Sequence, residues 1–166
     1  MAIAAIDATV GGPAANSYVT EAEANAYLEI RPGAQKWDGL NGDQRRGLLL
    51  FANILIDRET FWGRKRAPAQ ALQFPRSGDE DTVGPFIYQQ VKDAQVEQAL
   101  DLACGGYLRR LRQDEIQESG IRQVTTGQSQ IRSTVFRPTL AVYKLGPAAR
   151  NLILPFIDHS AVIGRA

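Results

Sequence analysis

The segment Leu72-Gln73-Phe74-Pro75-Arg76-Ser77-Gly78 limits what this chain can build more than any other stretch, because it separates two helix-like regions and neither can continue through it. Pro75 offers no backbone N–H and biases Phe74 towards extended geometry, while Gly78 permits a turn. An aromatic ring and an arginine are therefore presented from a loop, ahead of an acidic gap, Pro85 and the run from Val91 to Glu97.

The stretches on either side read as helices. Residues 1–17 form an extended arm with a turn at Gly11-Gly12-Pro13, and Thr20-Glu21-Ala22-Glu23 has the form of a capping box that opens a helix to about Ile30. Its inward face is Ala24, Tyr27 and Leu28, and Pro32-Gly33 stops it. Trp37 and Leu40 lie in the connection to a second helix, capped by Asn41 or Asp43 and reading through to about Phe61. There Leu48, Phe51, Leu55 and Trp62, with Ile54 alongside, recur at the spacing of one buried stripe. A third helix is expected from about Phe86 to Gln113, with Val96, Ala99, Leu100, Ala103, Tyr107 and Leu111 on its apolar side. It is read as continuous through Gly105-Gly106, close packing offsetting a cost of about 1 kcal/mol per glycine.

From Gly120 to Phe136 the texture turns to Ile, Val and Thr around Thr126-Gly127-Gln128-Ser129, which predicts a β-hairpin with Arg122 and Arg132 on its arms and Arg137-Pro138 at its end. A last helix starts at Pro147, carries Ala148, Leu152 and Ile153, and stops at Pro155. The expected fold is mainly α: a small bundle of three to four helices with a β-hairpin and an apolar C-terminal tail. It is read as one domain, with an arm over 1–17, a helical core over 18–113, the hairpin over 120–137, and the C-terminal helix and tail over 147–166.

A chain of 166 residues that is 44% hydrophobic can bury a core of its own. A formal charge of +1 speaks against a generally basic nucleic-acid binder. The charge is uneven, however: residues 1–118 carry 13 Lys and Arg against 17 Asp and Glu, and residues 119–166 carry 6 against 1. One cysteine, Cys104, excludes an internal disulfide. The first residues lack the basic and apolar regions of a secretion signal, and the uncharged stretch from Gly47 to Ile56 is about half a membrane span, so neither export nor membrane insertion is expected.

Catalytic chemistry finds little footing. His159 has only Asp158 and Ser160 beside it and reads as a surface or tail residue, and Cys104 reads as a small core residue. Asp79-Glu80-Asp81 lacks the alternating ligands and glycine of a calcium loop, and neither glycine pair matches a phosphate-binding loop. No enzyme activity, metal or cofactor is expected. The densest basic cluster is Trp62-Gly63-Arg64-Lys65-Arg66. Its functional reading is an arginine-rich patch next to Trp62, with Phe74 and Arg76 nearby, that stacks single-stranded bases and holds phosphates through Arg64, Lys65 and Arg66, or that meets an acidic protein surface. The structural reading, a helix end collecting cations with Trp62 in the buried stripe, is preferred.

In order along the chain, Asn16-Ser17-Tyr18-Val19, the helix ending in Ala26-Tyr27, Trp37, the second helix to Trp62-Gly63, Phe74-Pro75-Arg76-Ser77-Gly78, and Val91-Lys92-Asp93-Ala94 with Glu97 resemble a tailed-phage family labelled DnaT-like single-stranded-DNA-binding protein. The resemblance covers about residues 14–104, and the helical core is similar to that of head-to-tail connector, or adaptor, proteins. What it implies is a structural virion protein, made in the host cytoplasm. It would form a homo-oligomeric ring, twelve-fold, below the portal protein, extend the channel for genomic DNA, and dock a stopper or tail-terminator protein. On that reading Leu152, Ile153, Phe156, Ile157, Val162 and Ile163 anchor the subunit on the portal, having no evident destination within the chain. Arg76, Arg122, Arg132 and Arg137 then face a neighbouring subunit or the channel. The alternative from another class is a single-stranded-DNA-binding module, supported by the cluster from Trp62 to Arg66.

Overall fold

Thr20 takes extended backbone geometry and accepts a hydrogen bond from the Glu23 N–H, while Glu23 reaches back to the Thr20 N–H; this capping box opens helix α1, Glu21–Glu29. Asn41 and Gln44 form a second box at the start of α3, Gly42–Ile56, and Trp37 lies between the two on the single turn α2, Gln35–Asp38. Beyond the central loop come α4, Gln89–Ala103, and α5, Gly106–Glu118; the later elements are strands β1, Gln123–Thr126, and β2, Ser129–Arg132, then α6, Pro147–Ile153, and a 3-10 turn over Leu154–Phe156. This computed structural model describes residues 3–80, 84–118, 123–126, 129–132 and 145–158.

The described fold is mainly helical. The strands β1 and β2 pair antiparallel, Gln123 opposite Arg132, but the residues that link and flank them lie outside the described residues. The hairpin expected over 120–137 is thus not supported as a unit of the fold.

Helix α4 is the centre, packed against α1, α2, α3, α5 and α6. Its Val91, Ala94, Val96, Ala99 and Leu100 are buried, and so are three polar side chains, Gln95, Glu97 and Gln98. Buried polar groups are tolerated where they are hydrogen-bonded, and two of these join elements distant in sequence. Gln95 accepts from the Tyr18 N–H at 2.8 Å and donates to Ser17 Oγ at 2.8 Å and the Leu49 carbonyl at 3.0 Å, tying the arm and α3 to α4. Glu97 accepts from the Tyr27 hydroxyl at 2.9 Å and from both Nε and Nη2 of Arg31 at 2.5 and 3.2 Å, which fixes the end of α1.

Three expectations change. The third helix is two, because Gly105 adopts φ +72°, a left-handed backbone that suits glycine, and a Cβ on Gly106 would collide with the Asp101 carboxylate. Asp101 spans the break by a two-point ion pair with Arg110 at 2.5 and 3.0 Å. Cys104, at this break, is exposed rather than in the core. The buried stripe of α3 is Leu49, Ala52, Asn53, Leu55 and Ile56, one residue out of phase with Leu48 and Phe51, and α3 ends at Ile56.

Replacing Gln95 with Leu leaves the buried Tyr18 N–H unpaired and takes a second partner from Ser17 Oγ and from the Leu49 carbonyl, at the junction of three elements. Urea unfolding of that variant is expected to show a loss of about 2–4 kcal/mol; a loss below about 1 kcal/mol would mean that Gln95 does not hold the arm to the core.

Candidate nucleic-acid interface

After Asp57 caps α3, the chain turns Phe61 inwards and Trp62 outwards: Phe61 is buried, and the Trp62 side chain is 55% exposed. Exposure of a large indole normally goes with freedom, but the backbone here is tied on both sides. The Trp62 N–H donates to the Phe156 carbonyl at 3.0 Å, the Asp158 N–H donates to the Thr60 carbonyl at 2.8 Å, and Phe61 and Ile157 form a bridge. The carbonyl of Trp62 accepts from Nε of Arg76.

Arg76 is the clamp. Its side chain, only 9% exposed, also gives Nη2 to the carbonyls of Phe61 at 3.0 Å and Gly63 at 2.6 Å, and Nη1 to the carbonyl and Oε1 of Gln73 at 3.3 and 3.2 Å. Five hydrogen bonds use the whole guanidinium fork, whose fixed geometry lets one side chain hold three successive carbonyls. The guanidinium also lies 5.9 Å from the centroids of the Phe61 and Phe74 rings. Burial pulls its pKa below the ordinary arginine value, against the pull of the nearby Asp79 carboxylate. Gly63, at φ +77°, makes the turn that follows Trp62. Past it the two strands of chain stay in register: Ser77 N–H donates to the Arg64 carbonyl at 2.9 Å, Arg66 N–H to the Pro75 carbonyl at 3.2 Å, and Lys65 bridges Arg76.

The loop that carries Arg76 is held at its other end too. Phe74, 1% exposed, packs edge-on against Tyr18, Phe61 and Phe156 with centroids 6.0, 4.9 and 5.8 Å away. The Tyr18 hydroxyl accepts from the N–H groups of Gln73 and Phe74 at 3.1 and 3.3 Å and donates to Asp57. Gln70 Nε2 donates to the carbonyls of Leu72 and Pro75, both at 2.9 Å.

The residues singled out in the sequence divide as follows. Arg64 is exposed and its side chain has no hydrogen-bond or ion-pair partner among the described residues. Lys65 is half-buried and donates to the Ala71 carbonyl at 3.0 Å, and Arg66 meets Glu80 at 2.8 Å in an exposed pair that binds weakly and stays open to exchange. Arg76 faces inwards, with its guanidinium donors used on the carbonyls of Phe61, Trp62 and Gly63 and on Gln73. Ile153 is buried, and Leu152, Phe156 and Ile157 pack against the core cluster around Phe61 and Phe74. These apolar residues thus have the destination within the chain that the sequence did not reveal. Arg122, Arg137, Val162 and Ile163 lie outside the described residues, as does His159, and of Arg132 only the backbone position on β2 is described. The sequence reading preferred Trp62 as part of a buried stripe, whereas its ring is exposed, and it passed over Arg58, exposed and with no side-chain partner among the described residues. The turn residue Gly63 was the available signal that the helix had ended before Trp62.

Arg76→Ala is expected to destabilise the fold by about 3–5 kcal/mol, by leaving buried carbonyls unpaired. Arg76→Lys, which keeps the charge without the fork, should recover only part of this in urea unfolding. Full recovery would assign the effect to charge alone. A second expectation concerns pH. Burial pushes the Asp57 carboxyl above its ordinary 3.8, opposed by the hydrogen bonds from Tyr18 and the Gln73 N–H. The folded chain keeps this proton to a higher pH than the unfolded chain does, so the group's stabilising contribution is full below the unfolded value and declines as pH rises through the folded one. Asp57→Asn lacks that decline: relative to wild type, its unfolding free energy should improve between pH of about 3.5 and about 7. An opposite trend would contradict the assignment.

The model of a family described as "Putative DnaT-like ssDNA binding protein" matches residues 1–154. No curated protein matches the chain, and neither does any solved structure. The match overturns the connector reading. The family is one of single-stranded-DNA binders, not of phage connectors, and it gives no support to a virion neck role or to a ring, portal, stopper or tail-terminator partner; DNA contact is the part of that reading with which it agrees. With the match spanning nearly all of its 166 residues, this chain belongs to the DnaT-like ssDNA-binding family.

Proposed function

We propose that the chain is a single-stranded-DNA-binding module, acting by binding and not by catalysis. The observation that carries this is the Trp62 indole, which is 55% exposed although the N–H and C=O of the same residue are both hydrogen-bonded within the fold. A ring held out on fixed backbone loses little freedom when a base stacks on it, and stacking accepts any base because each has a π face. Arg64 supplies a cation two residues away whose side chain has no partner among the described residues, and Lys65 and Arg66 add charge to the same strand of chain. With a formal charge of only +1 the attraction is local to this patch, not a property of the whole surface.

The test is fluorescence anisotropy of a labelled short oligothymidylate at several salt concentrations. Wild type should bind with a salt dependence set by a small number of phosphate contacts. Trp62→Ala should weaken binding about ten-fold or more, the loss of one stacked base. Arg64→Ala should weaken it and flatten the logarithmic salt slope by about 0.7, the loss of one phosphate contact. Absence of binding by the wild type, or an unchanged affinity in Trp62→Ala, would reject the proposal.

A further inference from the structure

The chain over 64–66 and 75–77 forms a short antiparallel ladder. Arg66 N–H donates to the Pro75 carbonyl, Ser77 N–H donates to the Arg64 carbonyl, and Lys65 stands directly opposite Arg76. Residues opposite one another in such a ladder share a face, and neighbours along one strand alternate between faces. Arg76 is buried, so Lys65 shares the inward face, where it is half-buried and donates to the Ala71 carbonyl at 3.0 Å. Arg64 and Arg66 take the other face, and both are exposed. Two residues of extended chain set them about 6.6 Å apart along the strand, close to one nucleotide step of an extended single strand. Three consecutive cations in the sequence thus become two on the outer face and one that braces the loop.

Arg66 already holds an anion. Its Nε donates to Glu80 Oε1 at 2.8 Å, with both side chains exposed. The turn after Arg76 delivers that carboxylate. Asp79 accepts from the Arg76 N–H at 2.7 Å and gives its own N–H to the Arg76 carbonyl at 3.0 Å, Gly78 takes φ +96°, and Glu80 N–H donates to the Gly78 carbonyl at 3.0 Å. Glu80 also bridges Pro85. The loop whose Arg76 grips the carbonyl of Trp62 therefore also sets Glu80 against Arg66. Carboxylate and phosphate offer a guanidinium the same kind of charged oxygens, and an exposed pair of this sort contributes little, so a phosphate can take the place of Glu80.

We propose that Arg64 and Arg66 hold successive phosphates of the strand stacked on Trp62, and that Glu80 occupies Arg66 until the strand displaces it. The inference rests on the single-stranded-DNA reading and adds to it a second phosphate subsite with a resident competitor. Lys65 contributes charge to the patch but no contact.

Anisotropy with a labelled oligothymidylate over a range of salt concentrations tests it. Arg66→Gln should flatten the logarithmic salt slope by about 0.7, one phosphate contact, and Lys65→Gln should leave it unchanged. Glu80→Gln should tighten binding about two- to five-fold, the worth of an exposed ion pair that no longer competes, and should give no gain in the Arg66→Gln background. A gain of equal size in both backgrounds would mean that Glu80 acts only through its charge at a distance, and would overturn the assignment. So would a slope that Arg66→Gln leaves unchanged, or that Lys65→Gln flattens by as much. In each of those cases a loss of affinity in Trp62→Ala leaves the stacking site standing. Failure of the wild type to bind would instead reject the single-stranded-DNA reading, and the second subsite with it.

Discussion

The guanidinium of Arg76 is the interaction on which the rest of the site depends. Three successive carbonyls, those of Phe61, Trp62 and Gly63, point at one buried cation, and nothing else in a loop of this kind would hold them in line. Satisfying those carbonyls frees the adjacent N–H of Trp62 to bond the C-terminal 3-10 turn, which in turn brings Phe156 onto the Phe74 ring. The position of Phe74 is set from the other side by Tyr18, whose backbone N–H rests on Gln95 of the central helix. A line of hydrogen bonds and ring contacts thus runs from the centre of α4 to the exposed indole. A rigid scaffold presenting a loop residue is the arrangement that lowers the entropic cost of binding.

Local chemistry was easy to read and phase was not. The capping boxes at Thr20 and Asn41 are short-range signals and could be placed to the residue or nearly so. The stripe of α3 could not, because Leu48-Leu49-Leu50-Phe51 is apolar at every position, so that period alone admits more than one inward face. Including Trp62 in that stripe assumed a helix reaching Phe61; Asp57 ends it instead, and the period stops applying. The break at Gly105 turned on a left-handed backbone and on the bulk of Asp101 beside Gly106, which is a tertiary fact.

The candidate site was legible as a composition and not as a geometry. Arg64, Lys65 and Arg66 stand out in any reading of the chain, yet only Arg64 is exposed with no side-chain partner among the described residues. Arg76 attracted notice for the right loop, which reads as a brace between the second and third helices, but with a carboxylate or a neighbouring subunit as its expected partner, whereas its guanidinium meets four backbone carbonyls and the Gln73 side chain of its own chain. Leu152, Ile153, Phe156 and Ile157 looked unpaired because their destination, the cluster around Phe61 and Phe74, is assembled from segments far apart in sequence. Once that destination is seen, the portal-anchoring role loses its physical motive, in agreement with the family match.

Trp37 and Trp62 make the account's central claim directly observable. Trp37 is buried with its indole N–H bonded to Asn25 at 2.9 Å, and Trp62 is exposed. Titrating nitrogen-15-labelled protein with a short oligothymidylate and following the two indole N–H resonances tests whether the clamped ring is the contact. The account predicts a progressive shift of the Trp62 resonance while that of Trp37 stays in place. Binding that moves neither resonance, or that shifts backbone amides remote from residues 58–66 and leaves Trp62 unchanged, would contradict it.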